Sequence, residues 1–120
     1  MMNYTETDYK VYAVELLIKS LRPEAKWSCR GFDYSGLEWP SQAQTKPTEA
    51  QWNSGWAAAL ASAKLNKLRM QRNILLAETD WWANSDVTMT QAQTDYRQAL
   101  RDITDSATSL DDVTWPTKPE

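Results

Sequence analysis

Between Thr48 and about Ala83 the only helix breaker is Gly55, close to the start. Thr48-Glu49-Ala50-Gln51 is a capping box, with Thr48 as N-cap and Gln51 reaching back to it. An uninterrupted helix of roughly thirty-five residues would be on the order of 50 Å long. An element of that length organises whatever packs around it. Trp56, Leu60, Ala63, Lys67, Met70, Ile74, Ala77 and Trp81 follow heptad spacing, interrupted only by Lys67. A second stripe, Leu65, Leu68, Leu75 and Trp82, runs beside it. Such patterning predicts packing against other helices or a second copy of the chain. The alternative is a break into two helices near Asn66.

The segments on either side are shorter. Val11, Val14, Leu17, Ile18 and Leu21 predict a helix over 8–21, capped by Thr7 or Asp8 and stopped by Pro23. Residues 26–32 and 37–39 read as a β-hairpin around the turn Asp33-Tyr34-Ser35-Gly36. Two strands alone are marginal in water, so the hairpin must pack on a helix. A polar, proline-bounded stretch over 40–47 marks a boundary between subdomains 1–46 and 47–120. Thr90-Gln91-Ala92-Gln93 is a second capping box, opening a helix to about Asp105. Ala92, Tyr96, Ala99, Leu100 and Ile103 share one face of it, so it should fold back on the long helix with Trp81 or Trp82 at the corner. The tail from Ser106 is irregular, with Leu110, Val113 and Trp115 to pin it and Pro116 and Pro119 to stiffen it. The expected fold class is α+β and mostly α. It comprises an N-terminal helix with a short hairpin, a long helix, a folded-back helix and a Trp-Pro tail.

Composition narrows the chemistry. Histidine is absent and Cys29 is the sole cysteine, which excludes Ser-His-Asp triads, Cys-His pairs, zinc fingers and an internal disulfide. The glycines Gly31, Gly36 and Gly55 form neither a P-loop nor a dinucleotide fingerprint. Asp102 with Asp105, and Asp111 with Asp112, are the only spacings suggestive of a carboxylate dyad, and their place at helix ends and in the tail is explained by solvation. No enzyme activity, cofactor or metal is expected. Net charge is −3, split into +3 over residues 1–77 and −6 over 78–120. The basic cluster Lys64, Lys67, Arg69 and Arg72 is a solvated face or a match for acidic residues, and it lacks the pattern of a nucleic-acid site. No signal pattern or membrane-length apolar run is present, so neither membrane nor nucleic acid is an expected partner.

Seven tryptophans strengthen a small core or build a docking surface. Trp27, Trp39, Trp81 and Trp115 read as core or clasp residues. Trp52 and Trp56 share a helix face, suited to docking or to stacking on a sugar. Arg97 and Arg101 are spaced i,i+4, with Asp80 and Asp102 as carboxylate partners once the helices close. The functional alternative is that these arginines meet a partner protein.

One resemblance is specific. Arg72-Asn73-x-Leu75-Leu76-x-x-Thr79-Asp80-Trp81, then Tyr96-Arg97-Gln98-x-Leu100-Arg101-Asp102, then Val113-x-Trp115-Pro116-x-x-Pro119 resemble the phage tail assembly chaperone module, over roughly residues 68–119. Leu21-Arg22-Pro23, Trp27, Asp33-Tyr34, Leu37-Glu38-Trp39 and Pro47-Thr48-Glu49 are similar to another small tail-associated phage module. The resemblance implies a phage protein that binds a tail or tail-fibre protein, in the host cytoplasm during assembly or within the virion tail. It carries over no catalytic residue. The expected partner-binding positions are Trp52, Trp56, Arg72, Asp80, Trp81, Trp82, Tyr96, Arg97, Arg101 and Trp115, and self-association is expected through the long helix. A carbohydrate-binding accessory that uses exposed tryptophans is the rival reading.

Overall fold

The computed structural model describes residues 1–120. Its elements are α1 (Glu6–Leu21), a two-stranded antiparallel hairpin of β1 (Ser28–Cys29) and β2 (Leu37–Glu38), α2 (Glu49–Glu78) and α3 (Gln91–Arg101). Single 3-10 turns occupy Tyr34–Gly36, Asp80–Ala83 and Ile103–Asp105. The chain is α+β and mostly helical, as its patterning predicts. It divides into two compact units, Tyr4–Ala63 and Lys64–Glu120 with Met1–Asn3.

In the first unit, α1 begins earlier than expected. Thr5, not Thr7 or Asp8, is the N-cap: its hydroxyl accepts from the Asp8 N–H at 3.1 Å and the Asp8 carboxylate accepts from the Thr5 N–H at 2.7 Å. Asp8 serves as the third residue of a capping box, which satisfies two orphan donors where a cap at Thr7 would satisfy one. Ala13, Val14, Leu17 and Ile18 of α1 pack on Leu37, Trp52, Ala59 and Ala63. Gly55 permits the approach of α1, since a Cβ there would lie 2.6 Å from Leu17 Cδ1.

The hairpin pairs Ser28 with Glu38 and Cys29 with Leu37. It is shorter than the expected 26–32 and 37–39, and of its paired residues Leu37 is buried and Cys29 packs against the same core, while Ser28 and Glu38 are exposed. The Asp33–Gly36 turn forms as predicted, closed by the Gly36 N–H on the Asp33 carbonyl at 3.0 Å. A Cβ at Gly36 would collide with the Arg30 carbonyl. The polar stretch 40–47 is tied down by side chains: Gln42 exchanges hydrogen bonds with the Lys26 backbone at 2.9 and 2.7 Å, Arg22 Nε donates to the Thr45 carbonyl at 2.7 Å, and the Tyr34 hydroxyl donates to the Pro47 carbonyl at 2.6 Å.

α2 is one continuous helix of 30 residues, with no break near Asn66. Its capping box forms as read, with Thr48 and Gln51 exchanging bonds of 3.0 and 3.1 Å. It ends at Glu78, earlier than the expected Ala83, because the chain tightens into the 3-10 turn Asp80–Ala83.

In the second unit, α3 starts with the predicted Thr90–Gln93 capping box. It stops at Arg101, and the stretch expected to extend it to Asp105 is a 3-10 turn. α3 folds back on the end of α2: Tyr96 and Leu100 pack with Leu75, Leu76 and Trp82. A second cluster joins Leu68 to Ile103, Ala107, Leu110 and Val113. Trp115 touches both clusters, which makes it the clasp its position suggested. The N-terminal residues contribute a strut absent from the sequence reading: the Met2 N–H donates at 2.9 Å to Oε1 of buried Gln71.

Candidate protein-binding face

The last four turns of α2 have two unlike sides. Leu68 and Gln71 point inward and are buried, together with Thr79 and Trp82 just past the helix end. Of the two stripes visible in the sequence, the second is therefore the one that the module's own core consumes. The heptad stripe emerges on another side. Met70 is 44% exposed, Ile74 46% and Trp81 58%, with exposed Ala77 between them. Scattered apolar residues at a surface are ordinary, whereas several at helical spacing on one face make a candidate interaction site.

Arg97 sets which tryptophan is covered. Its guanidinium Nη1 donates to the Leu76 carbonyl at 2.9 Å and to the Thr79 hydroxyl at 2.7 Å, and Nη2 donates to Asp80 Oδ1 at 3.0 Å. A cation thus sits on the Leu76 carbonyl in the last turn of α2, where the helix dipole favours positive charge. Arg97 Nε is buried without a partner, a cost these three bonds offset. The 3-10 turn that follows sends Trp82 inward onto Tyr96, with ring centroids 6.1 Å apart. Trp81 is left outside, edge-on to Trp82 at 6.2 Å. The expectation that Trp81 is a core residue is corrected here. Trp82 shares the helical side of Leu68 and Leu75, so it fills the core instead. Lys118 Nζ lies 5.9 Å from the centre of the Trp82 ring and holds the tail over it.

The remaining expected positions separate by depth. Tyr96 is buried, and its hydroxyl pKa is raised, by burial first and by the Glu78 carboxylate second. Trp115 is half-buried in the clasp. Arg72 is half-buried and donates to the Asn73 side chain at 2.8 Å and to the Arg101 carbonyl at 3.4 Å, while Arg101 is exposed and bonded to Gln98 at 3.4 Å. Asp80 pairs with Arg97 as predicted, at 3.0 Å. Asp102 instead accepts from Gln98 Nε2, at 3.1 Å to each oxygen. Arg72, Asp80, Trp81 and Arg101 therefore present surface, whereas Trp82, Tyr96 and Arg97 shape the module from within. Met70 and Ile74 were visible as stripe members, but periodicity alone does not reveal which of two adjacent stripes stays uncovered.

In the first unit, Trp52 and Trp56 stack with ring centroids 5.9 Å apart and 7° between planes. Trp52 is buried, with Tyr34 edge-on to it at 5.7 Å, and Trp56 is half-buried. An open groove of about 430 Å³ runs beside them, lined by Lys10, Phe32, Asp33, Tyr34, Glu49 and Trp56 among others. Cys29 is half-buried, and its thiol pKa is raised by burial and by the Asp33 carboxylate, which leaves it a poor nucleophile. Asp112, one of the paired acids, closes a turn by accepting from the Thr108 and Ser109 N–H groups at 3.0 Å each. No helix is long and apolar enough to cross a membrane.

Residues 65–120 match the family model described as phage tail assembly chaperone protein. No curated protein and no solved structure matches the chain.

Proposed function

We propose that this chain, whose residues 65–120 form a phage tail assembly chaperone module, acts by binding a tail or tail-fibre protein during assembly. The observation that carries the reading is the exposed Met70, Ile74 and Trp81 face on α2, opposite a side already filled by the module's own core. Apolar side chains held at helical spacing on a rigid helix suit a partner's amphipathic segment, since two regular surfaces bury area at little conformational cost. Exposed Arg69 and Arg101 add cationic groups that favour a partner with acidic residues beside its apolar stripe. The chaperone form of the reading has this face shield a self-associating surface in the host cytoplasm until assembly.

The experiment is a binding titration against the purified tail and fibre proteins of the source phage. The double variant Ile74→Glu, Trp81→Glu should lower affinity about 30-fold or more, the scale of losing interface hot spots. Unchanged binding would refute the assignment of this face. Mass spectrometry of purified virions then separates the two roles: a fixed copy number marks a tail component, and presence only in lysate complexes marks a chaperone.

The rival carbohydrate reading requires Trp52 and Trp56 as an open platform. Burial of Trp52 counts against it and leaves Trp56 alone at the groove. Glycan binding lost on Trp56→Ala would revive it.

A further inference from the structure

The exposed face of α2 carries charge in a definite order. Lys67 lies at its N-terminal end and Glu78 at its C-terminal end, with Met70, Ile74 and Ala77 between. Glu78 is exposed and Lys67 half-buried, with its Nζ 3.9 Å from the Met70 sulfur, while Arg69 is turned about 100° round the helix from Met70 and Asp80, past the helix end, is engaged by Arg97. A helix face that is basic at one end, apolar in the middle and acidic at the other end is complementary to itself when turned end for end. Laid parallel to itself, it would stack like charges at both ends.

We propose that, in the free protein, this face is closed by a second copy of the chain, packed antiparallel. The spacing fixes the register. Heptad positions interleave when Met70 of one copy sits against Ile74 of the other and Lys67 against Ala77. That register sets Lys67 beside Glu78 of the second copy at each end of the seam. The two copies then cover four large apolar groups, two Met70 and two Ile74, that each would otherwise expose. The contact is short, a few helical turns, so the dimer should be dissociable in the micromolar range rather than obligate. The same residues cannot hold a tail protein and a second copy at once. Self-pairing therefore keeps the apolar face out of water until a partner displaces it, and this last step alone rests on the function proposed above.

Sedimentation velocity over the micromolar range tests the pairing. The wild-type chain should pass from 13.8 kDa toward twice that mass as concentration rises. Ile74→Glu should shift the midpoint to at least tenfold higher concentration while circular dichroism stays unchanged, because Ile74 is not a core residue. Met70→Lys provides a second variant with the same expectation. Orientation is read by cysteine cross-linking in a Cys29→Ser background. A mixture of Lys67→Cys and Ala77→Cys chains should form a disulfide heterodimer. Either variant alone should not, because like positions lie about 15 Å apart in the antiparallel seam, too far to bridge. A chain that stays monomeric throughout, a dimer indifferent to both substitutions, or cross-linking of each variant with itself would overturn the proposal. Tail-protein binding measured on the same samples keeps the two readings apart. A monomer that binds a tail protein sinks the pairing alone, and a dimer that binds none sinks only the tail-protein reading.

Discussion

Arg97 shows how one side chain settles a local architecture. It is 8% exposed, yet it carries a full charge, which its environment can tolerate only through the bonds to Leu76, Thr79 and Asp80. Arg97→Ala should destabilise the second unit by about 3 kcal/mol, measured by urea denaturation, because it removes three hydrogen bonds from a buried site, although the Thr79 hydroxyl keeps its own 3.2 Å bond to the Leu76 carbonyl. Arg97→Lys should recover only part of that, since an ammonium cannot reproduce the forked geometry. Asp80→Asn should cost no more than about 1 kcal/mol, the carboxylate being largely solvated. Asp112 makes a pH-dependent contribution. Its pKa is lowered below 3.8 by the Ser109 N–H first, with the Thr108 hydroxyl and N–H adding to it. A depressed folded-state pKa means that the stabilisation is complete above the ordinary carboxylate value and disappears as pH falls through the folded one. The fall in melting temperature between neutral pH and pH ~3 should therefore be smaller in Asp112→Asn than in wild type.

At the scale of elements, the capping boxes at Thr48 and Thr90 were legible because their signal is purely local: a hydroxyl and a glutamine three residues apart satisfy each other's backbone donors. The end of α1 at Leu21 was legible from Pro23, whereas its start, despite a capping box at Thr5, and the C-terminal ends of α2 and α3 were misjudged. The ends of α2 and α3 are both set by tertiary contacts, through Arg97 at Leu76 and through the packing of Ile103 beneath Leu68. The tail has no regular structure, and yet Trp115 joins two core clusters. Trp115→Ala should lower stability by about 3 kcal/mol, a typical cost of deleting a large aromatic from a packed site. A melting temperature within a degree or two of wild type would show that the clasp is dispensable.

For the whole molecule, the division at Ala63 and Lys64 falls inside α2, where no break in the sequence marks it. Each unit holds its own apolar clusters, so the Trp115→Ala lesion should remain in its own half. Hydrogen exchange is expected to quicken over α3 while α1 keeps its protection. What the sequence determined by itself is what depends on near neighbours and on residue chemistry. That includes three helices, the turn at Asp33–Gly36, the likeness to a tail assembly chaperone module, and the lack of histidine for catalysis. What only the tertiary structure decided is which surfaces are used up. Two apolar stripes ran side by side along α2, each of them competent to form a core. The fold-back of α3 and the placement of Trp115 buried the Leu68 and Trp82 stripe and left Met70, Ile74 and Trp81 in water, because burial depends on what the rest of the chain brings to a face rather than on the face itself.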